Sequence, residues 1–233
     1  MTQRFYTGKI KTKDGEFEMR QEVWVQDGEL ANQVLRVLRM RPADELIFFD
    51  GRGSEKLYRI DVVEDKAFHA VHITDIEPKY PRRKVNLAFS LLKKDKNEWV
   101  IQKSTELGIT RLLPLITDRT EKTGFDSDRA EKIAIEAAEQ CGRHSLPIVC
   151  EPQTLSSVIG QFNSAFPLCV ADMSGESFED NSSEEVMVFI GPEGGWTEKE
   201  RQLFAEKNIP SINLGDFTLR AETASIAAVQ LLM

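Results

Sequence analysis

Short apolar runs separated by turn signals fill residues 1–76 of the chain. These runs predict four strands, at residues 17–19, 23–25, 45–49 and 57–63. Between them lie Asp14-Gly15, Asp27-Gly28 and a glycine-rich stretch at 50–53, which are typical of hairpin turns. A helical pattern from Ala31 to Met40 interrupts the strands. These features predict a small β-barrel, since a closed sheet leaves few free edges.

The pattern changes at residues 77–84, where two prolines and a run of charges predict a linker between domains. From Val85 to the end, strand and helix patterns alternate. The predicted strands are 85–92, 111–116, 168–171, 186–190 and 211–214, and the predicted helices are 98–107, 128–141, 198–207 and 222–232. Such alternation predicts an α/β domain over 85–233, with a mostly parallel sheet covered by helices.

Two glycine-bearing strand exits stand out in this second domain. The first is Ile190-Gly191-Pro192-Glu193-Gly194-Gly195, and Thr197 with Glu200 predicts a capping box at the helix that follows it. The second runs from Leu214-Gly215 to Leu219-Arg220 and also precedes a helix. Loops at the carboxyl ends of neighbouring parallel strands bind small molecules in open α/β sheets. We therefore expect the two loops to meet at one site.

Composition and charge narrow the class of protein. The chain has 41% hydrophobic and 29% charged residues, which is ordinary for a soluble globular protein. Its formal net charge of −8 argues against a general nucleic-acid coat. Residues 82–143 differ from the acidic chain as a whole, because they carry 13 basic and 10 acidic side chains. RNA contact is therefore expected in this segment if anywhere. No apolar run is long enough to span a membrane. Three cysteines without metal-ligand spacing predict buried thiols, no metal and a cytoplasmic setting.

The two loops lack the motifs that hold phosphates. Neither contains GxxxxGK[ST], and neither is a GxGxxG followed by an acidic ribose ligand. They offer backbone amides, carbonyls and apolar walls from Leu214 and Leu219, which suit an adenine ring, while Glu193 favours a cationic ligand. S-adenosylmethionine is one such ligand. On the residues alone, the first loop could equally be a plain tight turn.

The ordered motifs of the chain resemble a known family. Beyond the two loops and Ala221-Glu222-Thr223-Ala224, the match includes Gln102 to Gly108, Glu136 to Arg143, Arg4-Phe5-Tyr6 and Val34 to Arg39, and so spans nearly the whole chain. These motifs resemble the small-subunit ribosomal RNA uridine N3 methyltransferases of the SPOUT superfamily. The resemblance implies an N-terminal PUA-like barrel and a C-terminal domain with a trefoil knot, an exception to the rule against threaded chains.

The resemblance also implies a cofactor, a partner and a set of binding residues. The cofactor would be S-adenosyl-L-methionine, bound at a homodimer interface, and the substrate would be small-subunit ribosomal RNA, free or in an assembled subunit. The residues implied for cofactor binding are Leu168, Val170, Ile190, Gly191, Pro192, Glu193, Gly194, Gly195, Leu214, Gly215, Leu219, Arg220 and Thr223.

Two side chains are candidates for the chemistry at the uridine ring. Methylation of N3 requires loss of a weakly acidic proton, so a cation near the uracil oxygens would stabilise the anion. We assign this role to Arg220, whose alternative is a structural contact with a carboxylate or carbonyl. Glu222 is a candidate base or partner of Arg220, and it also suits a helix N-terminus.

Basic and polar side chains supply the candidates for RNA contact. They are Arg4, Arg36, Arg39, Arg82, Arg83, Lys93, Lys94, Lys103, Gln140 and Arg143. Linker residues and lysines near 93 could neutralise phosphates. Their alternative is ordinary solvated charge on the linker and on helix faces.

The chain departs from the family pattern at two places. Ala31-Asn32-Gln33 stands where the family commonly has a His-His pair, and Asp216-Phe217 stands where it has Pro-Arg. The second departure removes a positive charge beside the cofactor loop. Two other functions remain open on the sequence: a SPOUT-type methyltransferase for another RNA base or a ribose, and a noncatalytic RNA-binding assembly factor of the same fold.

Overall fold

The computed structural model of the protein describes residues 2–12, 15–26, 28–93, 95–121, 124–177 and 183–233. The chain divides into two compact units. The first contains residues 1–80 together with 138–146, and the second contains 81–137 together with 147–233. The first unit therefore takes in a segment that lies far along the sequence, in addition to its N-terminal strands.

The first unit is built on a five-stranded sheet in the order β1-β5-β6-β7-β4. Strands β1 and β5 pair in parallel and the other neighbours are antiparallel. Buried aromatic rings, including Phe48 and Tyr58, form its core. The strands are β1 (Gln3–Tyr6), β4 (Glu22–Val25), β5 (Glu45–Phe49), β6 (Glu55–Val63) and β7 (Phe68–Asp75), with a separate two-stranded pair of β2 (Lys11–Thr12) and β3 (Gly15–Glu16).

The sequence pattern was incomplete for this unit. It missed β1, β2, β3 and β7, and it wrongly predicted a strand at 17–19, where the described chain is irregular. The predicted helix at 31–40 begins earlier, as α1 (Gly28–Asn32), and widens into a π-helical turn over Gln33–Val37. That turn closes with a hydrogen bond of 2.9 Å from the Leu38 amide to the Gln33 carbonyl. Arg39 then leaves it with a positive φ of 56°.

The second unit is an α/β domain with a parallel sheet, as the alternating pattern predicts. Its strand order is β10-β9-β8-β13-β12-β14, with β11 paired to β9. The strands are β8 (Lys84–Ser90), β9 (Arg111–Ile116), β10 (Ile148–Val149), β11 (Gln153–Thr154), β12 (Leu168–Ser177), β13 (Glu185–Ile190) and β14 (Ser211–Asn213). The helices are α2 (Lys96–Leu107), α3 (Ser127–Cys141), α4 (Leu155–Phe162), α5 (Glu198–Glu206) and α6 (Ala221–Leu232). The sequence pattern missed α4, β10 and β11.

Alternate residues of the central strands pack into different hydrophobic clusters. Along β13, Val188 belongs to a cluster with residues of α2, α3 and α6, while Phe189 belongs to a cluster with residues of α4 and α5. Burial on both faces explains why this strand reads as a continuous apolar run in the sequence.

Helix ends follow the sequence signals closely. Gly108 and Gly142 have positive φ angles of 99° and 81° and end α2 and α3, where a residue with a Cβ would be strained. Thr197 and Glu200 form the predicted capping box at α5. Within the part of the chain that the structure describes, no helix is both long and apolar enough to cross a membrane.

The cysteines differ from the expectation that all three are buried. Cys169 is buried in the sheet, where desolvation raises the pKa of its thiol to about 12. Cys150 is half-buried, but Cys141 is exposed at the end of α3. The prediction was wrong for Cys141 because this residue occupies an outward position in the last turn of its helix.

Candidate functional site

The two glycine loops meet at one cavity, as expected from the sequence. The cavity has a volume of about 400 Å³. It is lined by the exit of β13 (190–193, 195 and 196), by residues before and at the start of α6 (218–221 and 224), and by Ala171, Asp172, Met173 and Arg201. Four different segments of the second unit therefore build a single concave site.

Close packing against a tryptophan shapes the first loop. A Cβ on Gly191 would lie 3.0 Å from the Trp196 ring, closer than side chains normally tolerate. The indole is buried and donates a hydrogen bond of 3.3 Å from Nε1 to the Ala171 carbonyl. Gly195 turns the chain with a φ of 68°, and its amide donates to the Pro192 carbonyl at 2.8 Å. The loop therefore needs glycine at 191 for space and at 195 for conformation.

A second set of contacts holds the outer side of this loop. Arg119, from the segment after β9, donates from Nη1 to the Gly194 carbonyl. Buried Glu200 accepts hydrogen bonds from the amides of Thr197 at 2.8 Å and Asp118 at 3.0 Å. The segment after β9 and the start of α5 thus fix the glycine loop from both directions.

The second loop combines a glycine turn with positive φ and an exposed tip. Gly215 has a φ of 134° and donates from its amide to Asn213 Oδ1 at 2.7 Å. Asp216 and Phe217, the pair that departs from the family pattern, are both exposed, and Phe217 is 81% exposed. Leu219 and Arg220 face the cavity as lining residues. The departure from the family pattern therefore lies outside the recorded lining.

Arg220 occupies the N-cap position of α6, in extended conformation with φ −65° and ψ 150°. Its side chain is exposed, and no ion pair or side-chain hydrogen bond is recorded for it among the described residues. A cation that lines a cavity without a protein partner can act on a bound molecule.

A lysine connects the two sides of the site. Lys96 Nζ lies 3.2 Å from Glu193 Oε1 and 3.3 Å from Glu222 Oε2. The hydrogen bond that Lys96 donates to Glu193, followed by the contact with Glu222, raises the pKa of Lys96. Partial burial acts to raise the pKa of Glu193, but hydrogen bonds from its own amide and from Lys96 outweigh this and lower it. Glu222 therefore pairs with Lys96, rather than with Arg220 as the sequence suggested.

Only part of the expected cofactor set lines the cavity. Ile190, Gly191, Pro192, Glu193, Gly195, Leu219 and Arg220 do so. Leu168 and Val170 are buried in the core, and Leu168 instead borders a different cavity of about 690 Å³. The remaining expected residues lie outside the recorded lining: Gly194, Leu214, Gly215 and Thr223.

Sequence reasoning missed one wall of the cavity. Asp172 and Met173 line it because β12 continues through Ser177, whereas the apolar pattern predicted an end at Ala171. Arg201 belongs to α5, and the sequence pattern did not single it out. No motif marks these residues, so only the course of the chain could reveal them.

Several residues expected to bind RNA are engaged within the protein. In the first unit, Arg4 pairs with buried Glu55 and its side chain is 11% exposed. In the second, Arg83 is buried and donates from Nε to the Ser183 carbonyl at 2.6 Å. Lys103 donates to its helix neighbour Glu106 at 2.8 Å. These three contacts favour the structural alternative at Arg4, Arg83 and Lys103.

The other candidates lie closer to solvent. Arg36 pairs with Asp65, and Lys93 pairs with Glu121, both on the surface. Arg39, Arg82 and Gln140 are exposed, and Arg143 is half-buried, where desolvation lowers its pKa to about 10. Lys94 lies outside the described residues.

Comparison with known proteins identifies the class. Residues 78–233 match the model of a family described as an RNA methyltransferase domain. The chain is 32% identical to ribosomal RNA small subunit methyltransferase E of Rickettsia conorii, over 84% of this chain and 83% of that protein. It is 30% identical to the protein of that name from Bacillus subtilis, over 87% of this chain and 86% of the relative. The chain therefore belongs to the RNA methyltransferase family that includes ribosomal RNA small subunit methyltransferase E.

Solved structures agree with this family. A Neisseria gonorrhoeae ribosomal RNA small subunit methyltransferase E, bound to S-adenosyl methionine, is similar with a TM-score of 0.87 and 28% identity, over 99% of this chain and 96% of that one. A Legionella pneumophila protein described as a putative methyltransferase with bound SAM has a TM-score of 0.85 and 28% identity, over 100% and 97%.

Proposed function

We propose that this protein transfers a methyl group from S-adenosylmethionine to N3 of a uridine in small-subunit (16S) ribosomal RNA. The observation that carries the proposal is the cavity that the two glycine loops share in a chain of this family. We propose further that it acts as a homodimer in the cytoplasm, where its ribosomal substrate is found.

The residues present fit this cofactor. A volume of about 400 Å³ lies within the range of small-molecule sites, about 300–1,000 Å³. Bare backbone at Gly191 and Gly195 lets a flat ring approach closely, and Ile190 and Leu219 supply apolar walls. When bound, S-adenosylmethionine supplies an electrophilic methyl group on a sulfonium.

Arg220 is the residue that we assign to the uridine. Its guanidinium would stabilise the negative charge that develops on the uracil oxygens when N3 loses its proton. The exposed position and the lack of a recorded partner among described residues support this assignment. Glu222 is held by Lys96, which supports a positioning role rather than that of a base. The cavity walls would align the reacting atoms, which contributes much of the rate in such transfers.

We propose that the first unit is a PUA-like barrel that binds RNA. Its five-stranded sheet and buried aromatic core support a stable platform. Among the described residues, Arg39 of this unit and Arg82, near the start of the second unit, are exposed and have no recorded ion pair. They are therefore the foremost candidates for phosphate contact. In a plot of the logarithm of the RNA-binding constant against the logarithm of the salt concentration, Arg39→Gln and Arg82→Gln should each reduce the slope by about one. Lys66→Gln should leave the slope unchanged. Unchanged slopes in both variants would remove these two arginines from the interface.

We also propose that the second unit carries the trefoil knot of SPOUT proteins. In support, α6 follows the edge strand β14 but packs on α2, β8 and β13. If the C-terminal segment must be threaded, a stably folded domain fused after Met233 should slow refolding more than the same domain fused before the N-terminus. Equal refolding rates for the two fusions would argue against a threaded C-terminus.

Methyl mapping on ribosomal RNA tests the activity. Purified protein should transfer a radiolabelled methyl group to small-subunit particles or to free 16S RNA from a strain that lacks the enzyme. A methyl group on N3 removes a Watson–Crick donor and should stop reverse transcription one nucleotide before the site. Labelling without such a stop would indicate ribose or another base. Binding of the cofactor without any labelling would favour an assembly factor, and light scattering of the free protein tests the dimer.

A further inference from the structure

The cavity contains one ion pair that the proposed chemistry does not use. Its charged lining residues are Asp172, Glu193, Arg201 and Arg220. Glu193 is held by Lys96, and Arg220 is assigned to the uridine. Asp172 and Arg201 pair with each other across β12 and α5. A charged pair on the wall of a binding cavity can select a ligand by its charge.

The side chain of Arg201 has N–H donors with no recorded acceptor among the described residues. Among the residues that the structure describes, Asp172 is the sole acceptor recorded for its side chain, through Nη1. A guanidinium has five N–H donors in a rigid fork, which matches a carboxylate. The side chain is 43% exposed, so a molecule in the cavity can reach it.

Asp172 is, by contrast, close to saturated. Its Oδ1 accepts hydrogen bonds from the Ser174 amide at 3.0 Å and from the Ser174 hydroxyl at 2.7 Å, while Oδ2 accepts from Arg201. Its side chain is only 9% exposed. These contacts fix the carboxylate, and the carboxylate in turn orients the guanidinium of Arg201.

The amino-acid part of the proposed cofactor, with its ammonium and its carboxylate, still lacks partners. The adenosine part suits the bare backbone and apolar walls, but the amino-acid part carries a carboxylate. Burial of that carboxylate without a cation would be costly. We infer that Arg201, oriented by Asp172, binds the amino-acid carboxylate of the methyl donor. This inference rests on the proposed function, because it takes S-adenosylmethionine as the ligand.

Two thioether ligands isolate this contact. S-adenosylhomocysteine and 5′-methylthioadenosine share the adenosine and the uncharged sulfur, but only the first has the amino-acid group. Calorimetric titration should show that wild-type protein binds S-adenosylhomocysteine at least about ten-fold more tightly, as a charge-assisted hydrogen bond provides. Arg201→Gln should abolish most of this preference and leave the affinity for 5′-methylthioadenosine within about two-fold.

Matched variants separate recognition from folding. Arg201→Lys keeps the charge and should restore part of the preference, and Asp172→Asn should reduce it because the guanidinium loses its support. Arg129→Gln removes another exposed arginine that pairs with a carboxylate, Glu98, and should behave as wild type.

The outcomes have different meanings. Equal weakening of both ligands by Arg201→Gln, or no change in either, would overturn the assignment of the carboxylate contact while leaving the proposed function intact. If wild-type protein binds neither ligand nor S-adenosylmethionine, the proposed function itself fails and the inference fails with it.

Discussion

The ammonium of Lys96 lies 3.3 Å from the carboxylate of Glu222, at the start of α6. The same ammonium contacts Glu193 in the first glycine loop. One cation thus holds together two carboxylates that would otherwise repel each other. Arg220, which we assign to the uridine, lies two residues before Glu222. We therefore expect the contact to help fix the position of Arg220.

Replacement of Lys96 tests this linkage. Lys96→Met should lower turnover about ten-fold or more, since small displacements of reacting groups have large effects on rate. Lys96→Arg should retain much of the activity because it keeps the charge. Adding Glu222→Gln to Lys96→Met should recover part of the loss by removing the repulsion. Steady-state kinetics measure this, with Lys132→Met, at an exposed position of α3, as the control. Normal turnover in Lys96→Met would contradict the role.

The contact between Lys96 and Glu193 predicts that the stability of the protein depends on pH. The pKa of Glu193 is lowered from 4.5, so its contribution to stability is present above that value and is lost as the pH falls through the lowered pKa. The pKa of Lys96 is raised from 10.5, so its contribution is lost only as the pH rises above that value. The pair should therefore contribute throughout the neutral range. Urea midpoints of wild type and Glu193→Gln should differ at pH 7 and converge in acid; a constant difference would refute the pairing.

A side chain at position 191 should disturb the proposed cofactor site by steric contact with Trp196. Gly191→Ala would press a methyl group against Trp196 at 3.0 Å, and overpacking of this kind costs about 1–3 kcal/mol. We expect a lower free energy of unfolding and weaker binding of S-adenosylmethionine. Gly160→Ala is the control, because a Cβ there meets nothing within 4 Å and alanine favours α4 by about 0.5–1 kcal/mol. Denaturant titration and calorimetry give both quantities, and equal behaviour of the two variants would show that the indole yields freely.

Replacement of Arg220 should slow the chemical step without weakening the binding of S-adenosylmethionine. Arg220→Ala should keep the affinity for S-adenosylmethionine and the melting temperature, since the side chain is exposed. Its turnover should fall by about 100-fold or more, the typical effect of losing a group that stabilises a developing anion. Single-turnover methylation measures the chemical step directly. A variant that turns over normally would remove Arg220 from the mechanism.

The sequence predicted the parts of the fold that depend on local patterns. Alternating elements predicted the parallel sheet of the second unit, and Thr197 with Glu200 predicted the start of α5. Gly191 and Gly195 pointed to the cavity because a glycine requirement is visible in a single chain. Each of these signals lies within a few consecutive residues, so it can be recognised in the sequence without knowledge of the tertiary structure.

Long-range partnerships could not be predicted in the same way. No local sequence signal predicts that Arg4 pairs with Glu55 or that Arg83 donates to the carbonyl of Ser183. Both arginines read as RNA contacts because a charge is assumed to face water until a partner is found. The wall formed by Asp172 was missed for a related reason: β12 extends as a polar strand, which has no apolar signature.

The exposed tip of the second loop has a consequence for how such a site can change over time. Asp216 and Phe217 lie outside the recorded lining of the cavity and lie in water in the isolated chain. Substitutions there meet few neighbours, whereas those at Gly191 meet a rigid indole at once. Position 217 can therefore be substituted at little cost to packing, whereas position 191 is constrained by the indole beside it.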